Sequence, residues 1–340
     1  MSLPTDKRQS TQGTAQNRSS LADSAKLLRL FAYFAIYVFW GGSFLAIRDM
    51  VATTPPFFSA GLRFTAAGLT LYLVSRLRGV APPTRRELAH SSWLGLVMFT
   101  GSYAGLFWAE TRIASGTAAV IMAMIPIWIL LGESLVLKTQ PLTAYVVCGT
   151  LLGIAGVALV SRSVGFDRGM LAGAAALIGC TLLFSFGTLW SRSLTLPADQ
   201  IQRSGLQMAL GGFGQLVVSA LAREFAHLPA AFAAWRWHTT VSFLYLVLLA
   251  SIIAFTAYTW LIHHEPATRV ASYAYVNPLI ALLVGVTLGG EHVSALQAAG
   301  AAMIIVGVFA TMLSQNREKP RAKPQTSVPP PPVAGSVATR

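Results

Sequence analysis

Residues Arg269–Glu291 read RVASYAYVNPLIALLVGVTLGGE. The run is long enough to cross a bilayer, since about 20 apolar residues span the ~30 Å hydrocarbon core. Asn277 and Pro278 fall near its middle. Proline has no backbone N–H, so it frees a carbonyl in the preceding turn, and lipid cannot satisfy that group. Such a break is tolerated only against protein or a water-filled cavity. This stretch is therefore expected to face an interior pathway, with Pro278 as a helix break or hinge.

An earlier stretch matches it. Trp108 and Pro126 stand 18 apart, as do Trp260 and Pro278, so a single offset of 152 aligns both pairs. Further on, Gly149 and Gly156 match Gly300 and Gly307 at 151, and nearer the start Arg63 and Gly68 match Gln207 and Gly212 at 144. The offsets drift only by loop-sized gaps, which describes two copies of one unit, a recurrent plan in transporters.

Composition sets the solvent. The 340 residues are 54% hydrophobic and only 11% charged, with a mean hydropathy of +0.59; a soluble domain carries roughly 25% charged residues. The net charge of +13 is spread over short loops and tails between apolar runs, so it indicates a membrane protein with basic inner loops rather than a nucleic-acid-binding face. Cys148 and Cys180 both lie in apolar runs, which argues against a disulfide framework or a metal site. The first apolar run, Leu27 to Ile47, is too long for a cleaved signal.

Ten spans are expected: 27–47, 56–75, 91–110, 114–136, 142–161, 169–190, 203–222, 240–262, 268–288 and 295–314. The chain divides into a polar N-terminal segment (1–26), a first five-helix unit (27–161), a second (169–314) and a Pro-rich basic tail (315–340), both ends being disordered in composition. With the N-terminus inside, eighteen of the 25 Lys and Arg fall on the inner side, six on the outer side, and Arg63 within a span. Both termini are then cytoplasmic. Five is an odd number, so the second unit starts on the opposite side of the membrane and the repeats are inverted. The fold class is all-α and polytopic, with Pro126 and Pro278 facing one another near the midplane.

Several motifs resemble the drug/metabolite transporter superfamily, in its ten-helix EamA-type branch. Trp40-Gly41-Gly42-Ser43 is similar to that family's opening W-G motif, and Pro55-Pro56 with Gly61-Leu62-Arg63-Phe64 to its second-span start. Tyr275-Val276-Asn277-Pro278 and Gly289-Gly290-Glu291 resemble the signature ending its ninth span. The resemblance covers residues 28–314. It implies a bacterial inner-membrane carrier, proton-linked or facilitative, that exports amino acids, drugs or similar metabolites by alternating access without ATP and without a cofactor.

Arg63 lies some seven residues into the second span, where a charge costs ~2.5 kcal/mol or more unless paired or hydrated. It is either a cavity guanidinium for an anionic substrate group or a structural arginine bonded to a helix end or to Glu110. Glu110 closes the third span and is either a protonatable coupling group or a neutraliser of Arg63 or Arg112. Glu133 follows Pro126 by seven residues on one helix face; it titrates from the cytoplasmic side, snorkels, or pairs with Lys138. Asn277 can bond substrate or cap carbonyls freed by proline. Gln207 occupies the place of Arg63 in the second unit. Tyr273 shares a face with Asn277, and Trp40 is a further candidate for the cavity lining; Trp108 and Trp260 suit the lipid interface better. Gly149 and Gly153 form a GxxxG, for packing within the chain or across a homodimer. His263-His264-Glu265 lacks metal-ligand spacing on a loop, and no metal is expected.

Three functions compete. A secondary transporter fits the mid-span prolines, the inverted units and Arg63, and no GxxxxGK[ST] is present to bind nucleotide. An intramembrane enzyme needs a nucleophile and base at depth, whereas His90, His227, His238, His263, His264 and His292 all map to loops. A non-transporting scaffold needs no polar groups at depth. The partners expected are a small-molecule substrate and the bilayer.

Overall fold

A computed structural model describes residues 26–138, 143–163, 168–265, 270 and 273–317. Both polar ends, Thr139 to Leu142 and Arg269 lie outside these residues. Ten helical segments fit the ten expected spans: α1 Lys26–Thr53, α2 Pro56–Leu77, α3 85–109, α4 Ser115–Val136, α5 Ala144–Ser163, α6 Arg168–Ser191, α7 Gln200–Leu221, α8 237–264, α9 Tyr273–Thr287 and α10 Ala295–Arg317. Six of them (α1, α2, α4, α6, α7 and α8) are long and apolar enough to cross a membrane, and α5, α9 and α10 contribute shorter apolar runs. No strand occurs among the described residues.

Local chemistry moves several expected ends. α3 starts at Arg85 rather than at residue 91, because Thr84 and Glu87 form a reciprocal capping box that satisfies the first free N–H groups. α1 continues to Thr53, where the Thr54 hydroxyl bonds the Met50 carbonyl. α2 starts at Pro56, and the Glu224 carboxylate, arriving from beyond α7, accepts from the N–H groups of Phe57 (3.3 Å) and Phe58 (2.8 Å). α10 runs to Arg317, past Gln315. His90, His238 and His264 sit within helices rather than loops; His264 stacks on Trp260 and bonds its carbonyl.

The tightest packing joins the units through glycine. A methyl group on Gly156 of α5 would lie 2.7 Å from the Gly300 carbonyl of α10, and one on Gly307 would lie 2.6 Å from the Gly149 carbonyl. Shifting the 149–307 contact by 151 residues gives 300 against 156, the other contact. A pair that maps onto itself in this way is isologous, as a two-fold axis requires, and the helices run antiparallel. The α2–α7 crossing is built alike, with Gly68, Gly205 and Gly212 pressed against the facing backbone. Within the chain, Gly149 is met by Gly307 of α10, and a methyl group on Gly153 would lie 2.6 Å from Ile127 of α4.

Among the described residues, four stretches are wound wider than an α-helix: 35–39 in α1, 95–102 in α3, 132–136 in α4 and 245–253 in α8. Widened turns release carbonyls from the regular ladder. Two of these turns, in α1 and α8, face each other and exchange donors: Tyr245 donates its hydroxyl to the carbonyls of Val38 (3.2 Å) and Phe39 (3.1 Å), and Trp40 donates its indole N–H to Ala250 (2.9 Å).

Candidate substrate cavity

The helices α1, α2, α3, α4, α6, α8 and α9 enclose a cavity of about 100 Å³. Trp40, Arg63, Tyr273, Asn277, Pro126 and Pro278 all line it, so six residues from distant parts of the sequence meet at one place. The two prolines reach it differently. α4 breaks at Ala123–Met124, with Pro126 in the first turn of the continuation. α9 runs unbroken through Pro278, which leaves the Ala274 carbonyl at the cavity wall without its helical donor.

Arg63 is 3% exposed. Its Nε donates to Ser251 Oγ at 3.0 Å, and the guanidinium carbon lies 4.6 Å from the Phe64 ring centroid and 5.9 Å from that of Tyr103. Its Nη1 has no hydrogen-bond partner. Neither structural role expected for it, a helix end or Glu110, is what holds it. Asn277 is buried, and with its amide turned to suit its neighbours the nitrogen donates to the carbonyls of Ile36 (3.1 Å) and Tyr37 (3.2 Å). These carbonyls belong to the widened turn of α1 and are not freed by Pro278, so Asn277 straps α9 to α1. Trp40, Tyr258 and Tyr273 pack ring to ring, with centroids 5.1 to 5.9 Å apart.

Gln207 is not among the lining residues. The close α2–α7 and α3–α7 crossings press its backbone against Gly95 of α3, and its side chain is buried there. Glu110 is buried at the end of α3 and also lies outside the lining. Neither of its oxygens makes a well-formed hydrogen bond, the backbone N–H of Arg48 being its approaching donor. Glu133 is ion-paired at 2.5 Å with Arg192, just past the end of α6, a partner not among the alternatives read from the sequence.

Ion pairs bind both ends of the bundle. At the end where α1 finishes, Glu291 accepts from Arg48 (2.6 Å), from the N–H and hydroxyl of Ser115 (2.9 and 2.6 Å) and from the N–H of Gly116 (3.1 Å). Gly290, at φ +61°, turns the chain back to bring this carboxylate onto the N-terminus of α4. Burial by itself would raise the Glu291 carboxyl, but these donors hold it below its ordinary value. Beside it, Asp49 bonds His238 and Ser242 of α8. At the opposite end, Arg192 meets Glu133, and Arg29 meets the buried Glu265 at 2.6 Å. Arg48 and Arg192 are 144 residues apart, the same offset that relates Arg63 to Gln207. Arg48 lies near the end of α1 and Arg192 just past the end of α6, the first helices of the two units, so inversion places equivalent arginines at opposite ends. These pairs were not anticipated from sequence, and the 144 offset was the available signal.

The profile of the EamA-like transporter family matches residues 28–162 and again 171–313. The uncharacterized inner membrane transporter YedA of Escherichia coli K12 is 32% identical over 294 residues, 85% of this chain and 92% of that protein. An uncharacterized transporter of Archaeoglobus fulgidus is 27% identical over 287 residues, covering 82% and 95%. The uncharacterized transporter YvbV of Bacillus subtilis is 22% identical over 300 residues, covering 84% and 92%. A crystal structure at 21% identity superposes with a TM-score of 0.58 over 85% of this chain and 98% of its own, which supports the fold. These relatives are named as transporters, not enzymes. With two tandem matches across most of its length, the chain is a member of the EamA-like transporter family.

Proposed function

We propose that the protein is a secondary transporter that exports a small amphipathic metabolite, amino-acid-like or drug-like, across the cell inner membrane by alternating access. The observation that carries this reading is Arg63, buried in a cavity between the two units with an unfilled hydrogen-bonding position. Intramembrane charges of this kind mark substrate paths. The basic inner loops put both termini in the cytoplasm. Arg48–Glu291 then closes the outer end of the cavity, while Arg192–Glu133 and Arg29–Glu265 close the inner end. Rocking of one unit against the other breaks one set while the other holds. Glu110, buried without a good partner, is the group we assign to proton coupling, and Glu133 acts at the inner gate. A gradient drives the cycle, since the sequence has no phosphate-binding loop for ATP.

The test compares external metabolites and drug tolerance of cells with and without overexpression, then follows any solute found into proteoliposomes. Arg63→Ala and Asn277→Ala should each lower its flux. Unchanged flux in both would remove this site assignment.

A further inference from the structure

We propose that the cavity selects a monoanion, a small carboxylate on an aromatic body, over the zwitterion or amine of the same skeleton. The proposal rests on the transporter reading for the purpose of the site, but its chemistry stands on the cavity alone.

Among the described residues, Arg63 is the sole charged one lining the cavity. No carboxylate of the described residues forms an ion pair with it. A buried charge is tolerated when it is paired and hydrogen-bonded. Here one side of the guanidinium is satisfied by Ser251 and the rings of Phe64 and Tyr103, and Nη1 remains without an acceptor. The missing partner has to be an acceptor, and an anionic one neutralises the site. A carboxylate matches the planar guanidinium fork.

Charge balance separates the monoanion from its relatives. A bound monocarboxylate brings cavity and ligand together to zero. A zwitterion leaves +1 in a desolvated space, and an amine leaves +2. The wall offers an ammonium only neutral acceptors, the Ser43 hydroxyl oxygen, the Asn277 amide oxygen and the Ala274 carbonyl, and none of them carries the negative charge that would offset it beside Arg63. The rest of the wall suits a ring. Trp40, Tyr258 and Tyr273 form an edge-packed cluster, and Phe184 and Phe255 join the lining. The volume of about 100 Å³ is below the ~150 Å³ that holds a bare benzene ring, so a ring bearing a short carboxylate chain is accommodated only as the bundle opens, and larger ligands are disfavoured.

The experiment uses the full chain in nanodiscs and three probes that share a ring and chain: phenylpropionate, phenylalanine and phenethylamine. Binding is read by tryptophan fluorescence, and flux is measured in parallel in proteoliposomes. Phenylpropionate should bind about 10-fold or more tightly than either of the others, because phenethylamine lacks the carboxylate's charge-assisted hydrogen bond and phenylalanine adds a buried ammonium with no counter-charge. Arg63→Gln should abolish that preference. Arg63→Lys, which keeps the charge but not the fork, should retain a reduced preference and so serves as the control for folding. Equal or tighter binding of phenylalanine or phenethylamine overturns the proposal, as does an undiminished preference in Arg63→Gln, or no binding of any probe. Flux of the zwitterion or the amine without phenylpropionate also overturns it while leaving the protein a transporter. Charge-selective binding without any flux removes the transporter reading and leaves this inference standing.

Discussion

Replacing Glu291 with glutamine tests whether the outer closure is a gate. The carboxylate holds three elements at once: Arg48 near the end of α1, Ser115 and Gly116 at the start of α4, and the turn after α9. Breaking one side of a buried ion pair costs about 3–5 kcal/mol. The Arg48 side chain is 39% exposed and can turn to water, so about 2–3 kcal/mol is the reasonable charge against the closed state. That is a shift of about 30- to 150-fold toward the outward-open form. The assay is labelling of Ser43→Cys, a cavity position, by an impermeant maleimide added outside, in a background lacking Cys148 and Cys180. Labelling should accelerate by a factor in that range. Arg48→Ala should have a smaller effect, roughly 1 kcal/mol, because Glu291 keeps its bonds to the α4 N-terminus. For the same reason the charge swap Arg48→Glu with Glu291→Arg should not restore closure, since it sets a cation against exposed helix N–H groups. Glu133→Gln should leave outside labelling no faster. If Glu291→Gln folds and labels at the parental rate, the pair is a fastener and not a gate.

Further outcomes follow from packing and titration. Gly156→Leu should destabilise by about 1–3 kcal/mol, seen as a lower Tm in detergent, because its side chain meets the backbone of α10; Gly179→Ala, where nothing lies within 4 Å, should gain about 0.5–1 kcal/mol. Ser251→Ala removes the acceptor of Arg63 Nε; it should reduce substrate affinity several-fold in a binding titration, with a drop in Tm of no more than a few degrees, about 1 kcal/mol. The Glu291 carboxyl sits below its ordinary value of 4.5 in the folded chain. Its stabilisation is therefore fully present above that value and is lost as pH falls through the lower folded one. The Tm difference between the parent and Glu291→Gln should hold from neutral pH to about pH 5 and shrink below pH 4.5; a difference independent of pH would refute the assignment.

What the sequence made legible was whatever is local or periodic. Apolar runs gave the spans, Pro126 and Pro278 marked the cavity, and an isolated Arg63 in a span declared its own cost. The partner of Asn277 was not legible, because the widened turn at 35–39 is spelled AIYVF and carries no signature of its own. The Glu133–Arg192 pair joins residues 59 apart, one in α4 and one just past α6, and nothing in the local sequence of either points to the other. Gln207 failed for a different reason. A repeat offset identifies equivalent places along the chain, but the two units do not present them to equivalent surroundings: Arg63 faces the cavity, while Gln207 of α7 is pressed against α3 by glycines that allow close approach. The ends of the bundle show the converse. Arg48 and Arg192 keep equivalent places, yet their acids do not, Glu291 standing past the turn after α9 and Glu133 within α4. Under the alternating-access cycle proposed above, symmetry in the arginines supplies one closure at each face. The different placement of the acids, one locked onto a helix N-terminus, lets the two faces be held with unequal strength, and the labelling rates from outside and inside would measure that difference.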